Sequence, residues 1–157
     1  MLRVLCSAKV YLLIMVACVA VSGVQSVTWA GDDTVAQISK ISGAITIQRG
    51  SESVTAAKGA RLKNGDTIAT GLDGAVGLLF NDDTTLALGP GSTLTIQEFV
   101  FEPDRSRFAF VVKLLKGTAS YVSGLIAKLS PEATKFITPS SSIGVRGTKF
   151  VVEVEAQ

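Results

Sequence analysis

Along this chain apolar residues recur at every second position in short runs, and each run is closed by Gly, Asp, Asn, Pro or Ser. Alternation of that period puts successive side chains on opposite faces of a strand, and the closing residues are those that turn a chain. The clearest case is a hairpin. Val76, Leu78 and Phe80 alternate on one strand, Asn81-Asp82-Asp83-Thr84 turns the chain, and Leu86 and Leu88 continue the inward face on the return. Gly89-Pro90-Gly91-Ser92 turns it again before Leu94 and Ile96. A chain patterned in this way is all-β.

The same reading extends outward from the hairpin. Ile41, Gly43, Ile45 and Ile47 alternate with Ser42, Ala44 and Thr46, which predicts one strand closed by Arg49-Gly50-Ser51. Lys63-Asn64-Gly65-Asp66 is a turn leading into a short strand, Thr67 to Thr70, that Gly71 ends. Val111 to Leu115 is an unbroken apolar run, read as a strand buried on both faces and broken by Lys116-Gly117-Thr118. Between Gly124 and Thr134 the spacing of Val122, Leu125, Ile126 and Leu129 is helical, and Ser130-Pro131-Glu132 has the pattern of a cap, a first-turn Pro and an early acid. One short helical turn or irregular loop is expected there. A last strand carries Phe150, Val152 and Val154 on one face and Val151, Glu153 and Glu155 on the other. No exact internal repeat is present, and the rhythm of strand, Gly-centred turn and strand fits a small sandwich, barrel or solenoid.

The first thirty of the 157 residues read differently. Met1 to Lys9 carries Arg3 and Lys9 and no acid, Val10 to Val21 is nearly all apolar, and Thr28-Trp29-Ala30 precedes Gly31. A basic start, an apolar core and a small-residue exit make a secretory signal peptide cleaved near Ala30. Met15-Val16-Ala17-Cys18 is a poor match to a lipoprotein processing box. Retention of Val10 to Ala30 as an uncleaved anchor is the other alternative, since a span needs ~20 apolar residues. All these readings place the rest of the chain beyond the inner membrane, in the periplasm or outside a bacterial cell. Cleavage removes both cysteines, Cys6 and Cys18, so the remaining chain has no disulfide and depends on an apolar core. Cleavage also removes two of the 15 Lys and Arg and none of the 13 Asp and Glu. The remainder is neutral, which argues against nucleic-acid binding driven by excess positive charge.

Ile143-Gly144-Val145-Arg146-Gly147-Thr148-Lys149-Phe150-Val151-Val152 resembles the FecR domain family, the periplasmic domain named after the regulator of ferric citrate uptake. Further segments fit in the same order: Ile41 to Ile45 as the opening strand, Gly65-Asp66 to Gly71 as a Gly-Asp turn and strand, the Phe80 to Gly91 hairpin, Leu115-Lys116-Gly117, and Thr138-Pro139. The resemblance spans 41–154, which sets the expected organisation as signal peptide 1–30, linker or first strand 31–40, FecR-like domain 41–154 and C-terminal end 155–157. It implies a twisted β-solenoid-like or sandwich-like domain of short strands. Well-known members bind a sigma factor through a cytoplasmic N-terminal part and receive a signal from an outer-membrane receptor through the periplasmic part. About nine residues precede the apolar segment here, and little follows Arg146-Gly147-Thr148. The expectation is a stand-alone secreted form without the sigma-binding part.

The chain has no His, and none of its residues beyond 30 is Cys. Histidine triads, cysteine nucleophiles and most zinc or copper sites are therefore out of reach of this region, and no catalytic, cofactor or metal residue is assigned. Ser140-Ser141-Ser142 reads as a polar turn. Asn81, Asp82 and Asp83 offer oxygens to calcium but lack an EF-hand spacing, so the turn explains them. Gly144, Arg146, Gly147, Thr148, Gly65 and Asp66 are read as structural motif residues. Arg146 as a recognition group for a partner carboxylate is the rival reading. Lys113, Lys116, Lys128, Lys135, Arg105 and Arg107 read as solvated strand ends, and Phe99, Phe101, Phe108 and Phe110 as core or hairpin base. The function expected is a non-enzymatic binding or signal-relay module engaging an envelope protein, with Phe150, Val152 and Val154 as a candidate partner edge. Envelope glycan binding or a structural role is the alternative. Contact with a membrane is expected only through an uncleaved N-terminal segment.

Overall fold

Because alternation dominates the sequence, strands dominate the structure. The computed structural model describes residues 33–145 and 149–155; the proposed signal segment and Arg146-Gly147-Thr148 lie outside the described residues. Twelve strands follow one another: β1 Thr34–Ser42, β2 Ile45–Arg49, β3 Glu52–Thr55, β4 Arg61–Lys63, β5 Thr67–Thr70, β6 Ala75–Phe80, β7 Thr85–Leu88, β8 Thr93–Glu102, β9 Arg107–Val122, β10 Thr134–Ile137, β11 Ser142–Gly144 and β12 Lys149–Val154. They form one long, mainly antiparallel sheet curled into a half-barrel, with β10 parallel to β9 as an exception. This is the all-β domain that the alternation predicts, with its halves facing one another across a common core. Among the described residues no helix is long and apolar enough to cross a membrane.

The long strand β9 joins the halves. Its first part pairs with β8, from Glu102↔Arg107 to Thr93↔Lys116, and its second part pairs with β7, from Leu88↔Ala119 to Thr85↔Val122. The Gly89–Ser92 turn bridges the gap. Gly89 N–H donates to Thr118 O at 2.9 Å, and Thr118 N–H donates to Ser92 Oγ at 2.9 Å. Beyond β8 lie β5, β2 and β3; beyond β7 lie β6, β1 and β4.

Two expectations about single strands are corrected. Val111 to Leu115 is not buried on both faces: Val112 and Leu114 are buried, whereas Leu115 is 39% exposed. Nor do Lys116-Gly117-Thr118 end the strand. Gly117 adopts φ +88°, and a Cβ there would lie 2.3 Å from Ser92 Oγ and 2.5 Å from Ser92 Cα. Glycine lets the strand bend past Ser92 and continue, where a side chain would collide. The second correction concerns Ile41 to Ile47, which is a corner between β1 and β2 rather than one strand. Gly43 takes φ +66° with Asp73 O only 2.8 Å from where a Cβ would sit. Ile45 and Ile47 keep the predicted inward face in β2, while Ile41 is half-buried at the end of β1, beyond a register shift between Ile38 and Lys40. The hydrogen-bonding partners change as well, from β6 and β4 for β1 to β5 and β3 for β2.

The core combines aliphatic rows with a chain of rings. Leu62, Ile68, Leu78, Leu86, Leu94 and Leu114 are fully buried, each contributing roughly 1.5–3 kcal/mol by leaving water. Phe80 meets Phe110 edge-on at 4.9 Å, Phe110 meets Tyr121 at 5.6 Å, and Tyr121 meets Phe136 at 5.2 Å. The expected helical turn is present as α1, Leu125–Leu129, followed by a 3-10 turn at Pro131–Ala133. Ser130 does not cap that turn through its side chain; its hydroxyl donates to the Glu132 carboxylate.

The crossing point generates a test. Gly117→Val is expected to lower stability by about 3 kcal/mol, since it combines a left-handed backbone with a collision against Ser92. Gly50→Ala, at φ +58° with no atom within 4 Å of the new Cβ, isolates the backbone contribution of about 1 kcal/mol. Urea unfolding of both variants measures the difference. Equal losses would contradict the close approach.

Candidate docking edge

The last strand pairs on one side only. β12 runs antiparallel to β9 from Lys149↔Val122 to Val154↔Gly117, and among the described residues it pairs with no other strand. Its six residues divide by face as their alternation requires. Inward, Val152 is buried, and Phe150 lies 4.9 Å from the rings of both Tyr121 and Phe136. Outward, Lys149 and Glu153 are exposed and Val151 is 62% exposed between them. Val122, opposite Lys149, and Leu125 also remain partly uncovered. The inner face therefore fixes the strand to the core, while among the described residues its outer backbone edge pairs with no strand.

A cleft of about 760 Å³ lies beside the C-terminal half of β12, lined by Leu115, Thr138, Ser141, Ile143, Val152 and Val154 among others. Its far wall is the turn between β10 and β11. There Thr138 N–H donates to Ser141 O at 2.8 Å, and Ser141 N–H donates to Thr138 Oγ1 at 3.0 Å. The serine run is thus a hydrogen-bonded turn. Gly144 ends β11 opposite Lys135, and a Cβ there would meet nothing within 4 Å.

Gly65 and Asp66 lie in the other half of the sheet, before β5. Asp66 is fully buried and receives a two-pronged contact from Arg49: Nε donates to Oδ1 at 2.8 Å and Nη2 to Oδ2 at 2.6 Å. Lys63 N–H adds a third donor at 2.8 Å. The Asp66 carboxylate raises the pKa of the Arg49 guanidinium through this hydrogen bond, outweighing the opposing effect of desolvation. Sequence reasoning missed Arg49 as a partner because the pair is 17 residues apart and joins the end of β2 to the turn before β5, segments that become neighbours only in the folded sheet.

A second buried carboxylate was also hidden. Asp82 Oδ1 accepts from Thr84 N–H at 3.1 Å, and Oδ2 accepts from Thr84 Oγ1 at 2.8 Å and from Ile126 N–H at 3.2 Å. Asp82 O accepts from Leu125 N–H at 2.7 Å. The Asp-rich turn therefore pins the start of α1 to the β6–β7 hairpin. Of the four phenylalanines around the β8–β9 turn, Phe99 and Phe110 are buried, and Phe101 and Phe108 form a half-buried pair at 6.1 Å. Arg105 and Arg107 face Glu102 at 3.6 and 3.3 Å. Lys116, Lys128 and Lys135 are solvent-exposed, and Lys113 is half-buried.

Tyr121, beneath Phe150, offers a pH test. Burial raises its pKa above the ordinary 10.0, while the neighbouring Thr84 and Thr134 hydroxyls pull the other way without either closing a hydrogen bond of ordinary geometry to it. A phenol whose folded pKa is raised contributes stability that is full below the unfolded value and is lost as pH rises through the folded one. Tyr121→Phe is expected to cost about 1 kcal/mol or less at neutral pH, because the buried hydroxyl has no partner. The stability difference between wild type and variant is expected to move against the wild type above pH 10. A difference that stays flat through that range in urea titrations would contradict the assignment.

A family model described as FecR protein matches residues 66–157, more than half of the chain. The match takes in β5 to β12 and so contains the one-sided strand β12. No curated protein matches, and no solved structure matches. With the ordered motifs from Gly65-Asp66 to Phe150, this match is decisive: the chain belongs to the FecR protein family, a family of signal-transduction and regulatory modules.

Proposed function

We propose that this chain is a periplasmic signal-relay module that works by binding an envelope protein and not by catalysis. The observation that carries the reading is β12, a strand held by its inner face and paired, among the described residues, along one edge only. An extended segment of a partner can add to such an edge, with backbone hydrogen bonds supplying affinity and alternate side chains supplying selectivity. Val151, exposed between Lys149 and Glu153, is the side chain best placed to select. Membership of a regulatory family supports the relay role. The N-terminal pattern of Arg3, Lys9, the Val10 to Val21 tract and Ala30 supports export and cleavage of 1–30. The lack of His in the whole chain, and of Cys beyond Cys18, supports a role without nucleophilic or metal chemistry.

A photo-crosslinking residue at Val151 of the full chain, compared with one at Val54 on β3, tests this in the producing cell. Both positions are more than half exposed. A discrete envelope protein captured from Val151 and not from Val54 is the expected result. Equal capture from both sites, or none from Val151 in a folded, exported chain, would turn the reading toward glycan binding or a structural role.

A further inference from the structure

The sequence of β12 complements itself. If two copies of this strand pair antiparallel about a two-fold axis through Val151, Lys149 of each copy lies opposite Glu153 of the other. Val151 then meets Val151, and Phe150 lies opposite Val152. Opposite charges directly across a strand pair attract, and apolar pairs between them add contact. Neighbouring registers lose the Val151 pair, and the Val152-centred one moves Lys149 to a position opposite Glu155, beyond the end of the strand. An axis through Val152 places Val151 opposite Glu153, and an axis through Phe150 places Lys149 opposite Val151. An axis between residues sets outward side chains against inward ones, which the alternation of Phe150, Val152 and Val154 with Lys149, Val151 and Glu153 forbids. Among the described residues the side chains of Lys149 and Glu153 have no ion-pair partner within one copy, so both are available.

We propose that the resting occupant of the β12 edge is a second copy of this chain, paired in the Val151-centred register. The proposal rests on the reading of β12 as the docking element and specifies its first partner. An envelope protein that adds its own strand must then displace the second copy, so its arrival is relayed as dissociation of the dimer. The contact is the same patch on both copies, which closes a dimer and does not grow into a filament. One strand pair is a small interface, so micromolar association is expected, on the order of other transient contacts.

Sedimentation velocity of the full chain, recovered from the cell envelope and spanning roughly 1–300 μM, reads the association directly. Wild type is expected to dimerise across this range. Lys149→Glu and Glu153→Lys are each expected to weaken dimerisation about tenfold, since each replaces two attractive cross-strand pairs by two repulsive ones. The doubly swapped chain, Lys149→Glu with Glu153→Lys, is expected to recover the dimer. An equimolar mixture of the two single variants is expected to form a mixed dimer, which also shows that neither variant is unfolded. A wild type that stays monomeric at the highest concentration overturns the proposal, as does weakening that neither the swap nor the mixture repairs. A monomeric chain whose Val151 still crosslinks to another envelope protein removes the second copy and leaves the docking edge in place. Failure of both removes the edge itself.

Discussion

The packing of Gly117 against Ser92 is the constraint on which the rest of the sheet depends. At that point β9 passes from one half of the sheet to the other, and Ser92 Oγ accepts from Thr118 N–H where a regular ladder would use a carbonyl. A side chain at 117 would force β9 to stop or β7 and β8 to part. With glycine there, one 16-residue strand carries β8 and β10 on its first part and β7 and β12 on its second. The position of β12 at a rim is therefore a consequence of how β9 is shared. Its one-sided pairing follows from the topology.

Buried polar pins complete what the apolar core begins. Both cysteines precede the described residues, so within the described region ion pairs and hydrogen bonds hold irregular segments in place. Arg49 and Asp66 tie the end of β2 to the turn before β5, and Asp82 ties the β6–β7 turn to α1. Removing Arg49 would leave the buried Asp66 carboxylate without its counter-charge, a loss that typically costs about 3–5 kcal/mol. The Asp82 pin also sets where the chain leaves β9 after Val122, and hence where it returns as β10. That return supplies Phe136, the ring against which Phe150 of β12 packs edge-on.

Much of this was legible in the sequence, and the reason is local. Alternation records which face of a strand is buried, so the β6–β7 hairpin, β8, the short α1 turn and the inward face of β12 could all be read from residue spacing. Alternation does not record which strand lies beside which. Ile41 to Ile47 hid a corner, and Val111 to Leu115 hid a strand that continues beyond Gly117. The same limit concealed Arg49 as the partner of Asp66 and Ile126 N–H as a donor to Asp82, since both contacts link segments far apart in the chain. The FecR resemblance was carried by ordered short motifs, several of which coincide with turns: Gly65-Asp66, Asp82-Asp83 and Thr138-Pro139. Their side chains hydrogen-bond to backbone groups, so the motif residues mark where the sheet changes direction.

If β12 works as a docking strand, its outer edge is open in the single chain and covered when a partner binds. Amide hydrogen exchange across β9 and β12, followed from dilute to concentrated protein and with any captured partner, tests it most directly. The outward-facing amides of β12 are expected to exchange rapidly when dilute and to become protected on association, while β9 amides stay protected throughout. β12 amides that exchange at the same rate in every state would contradict it.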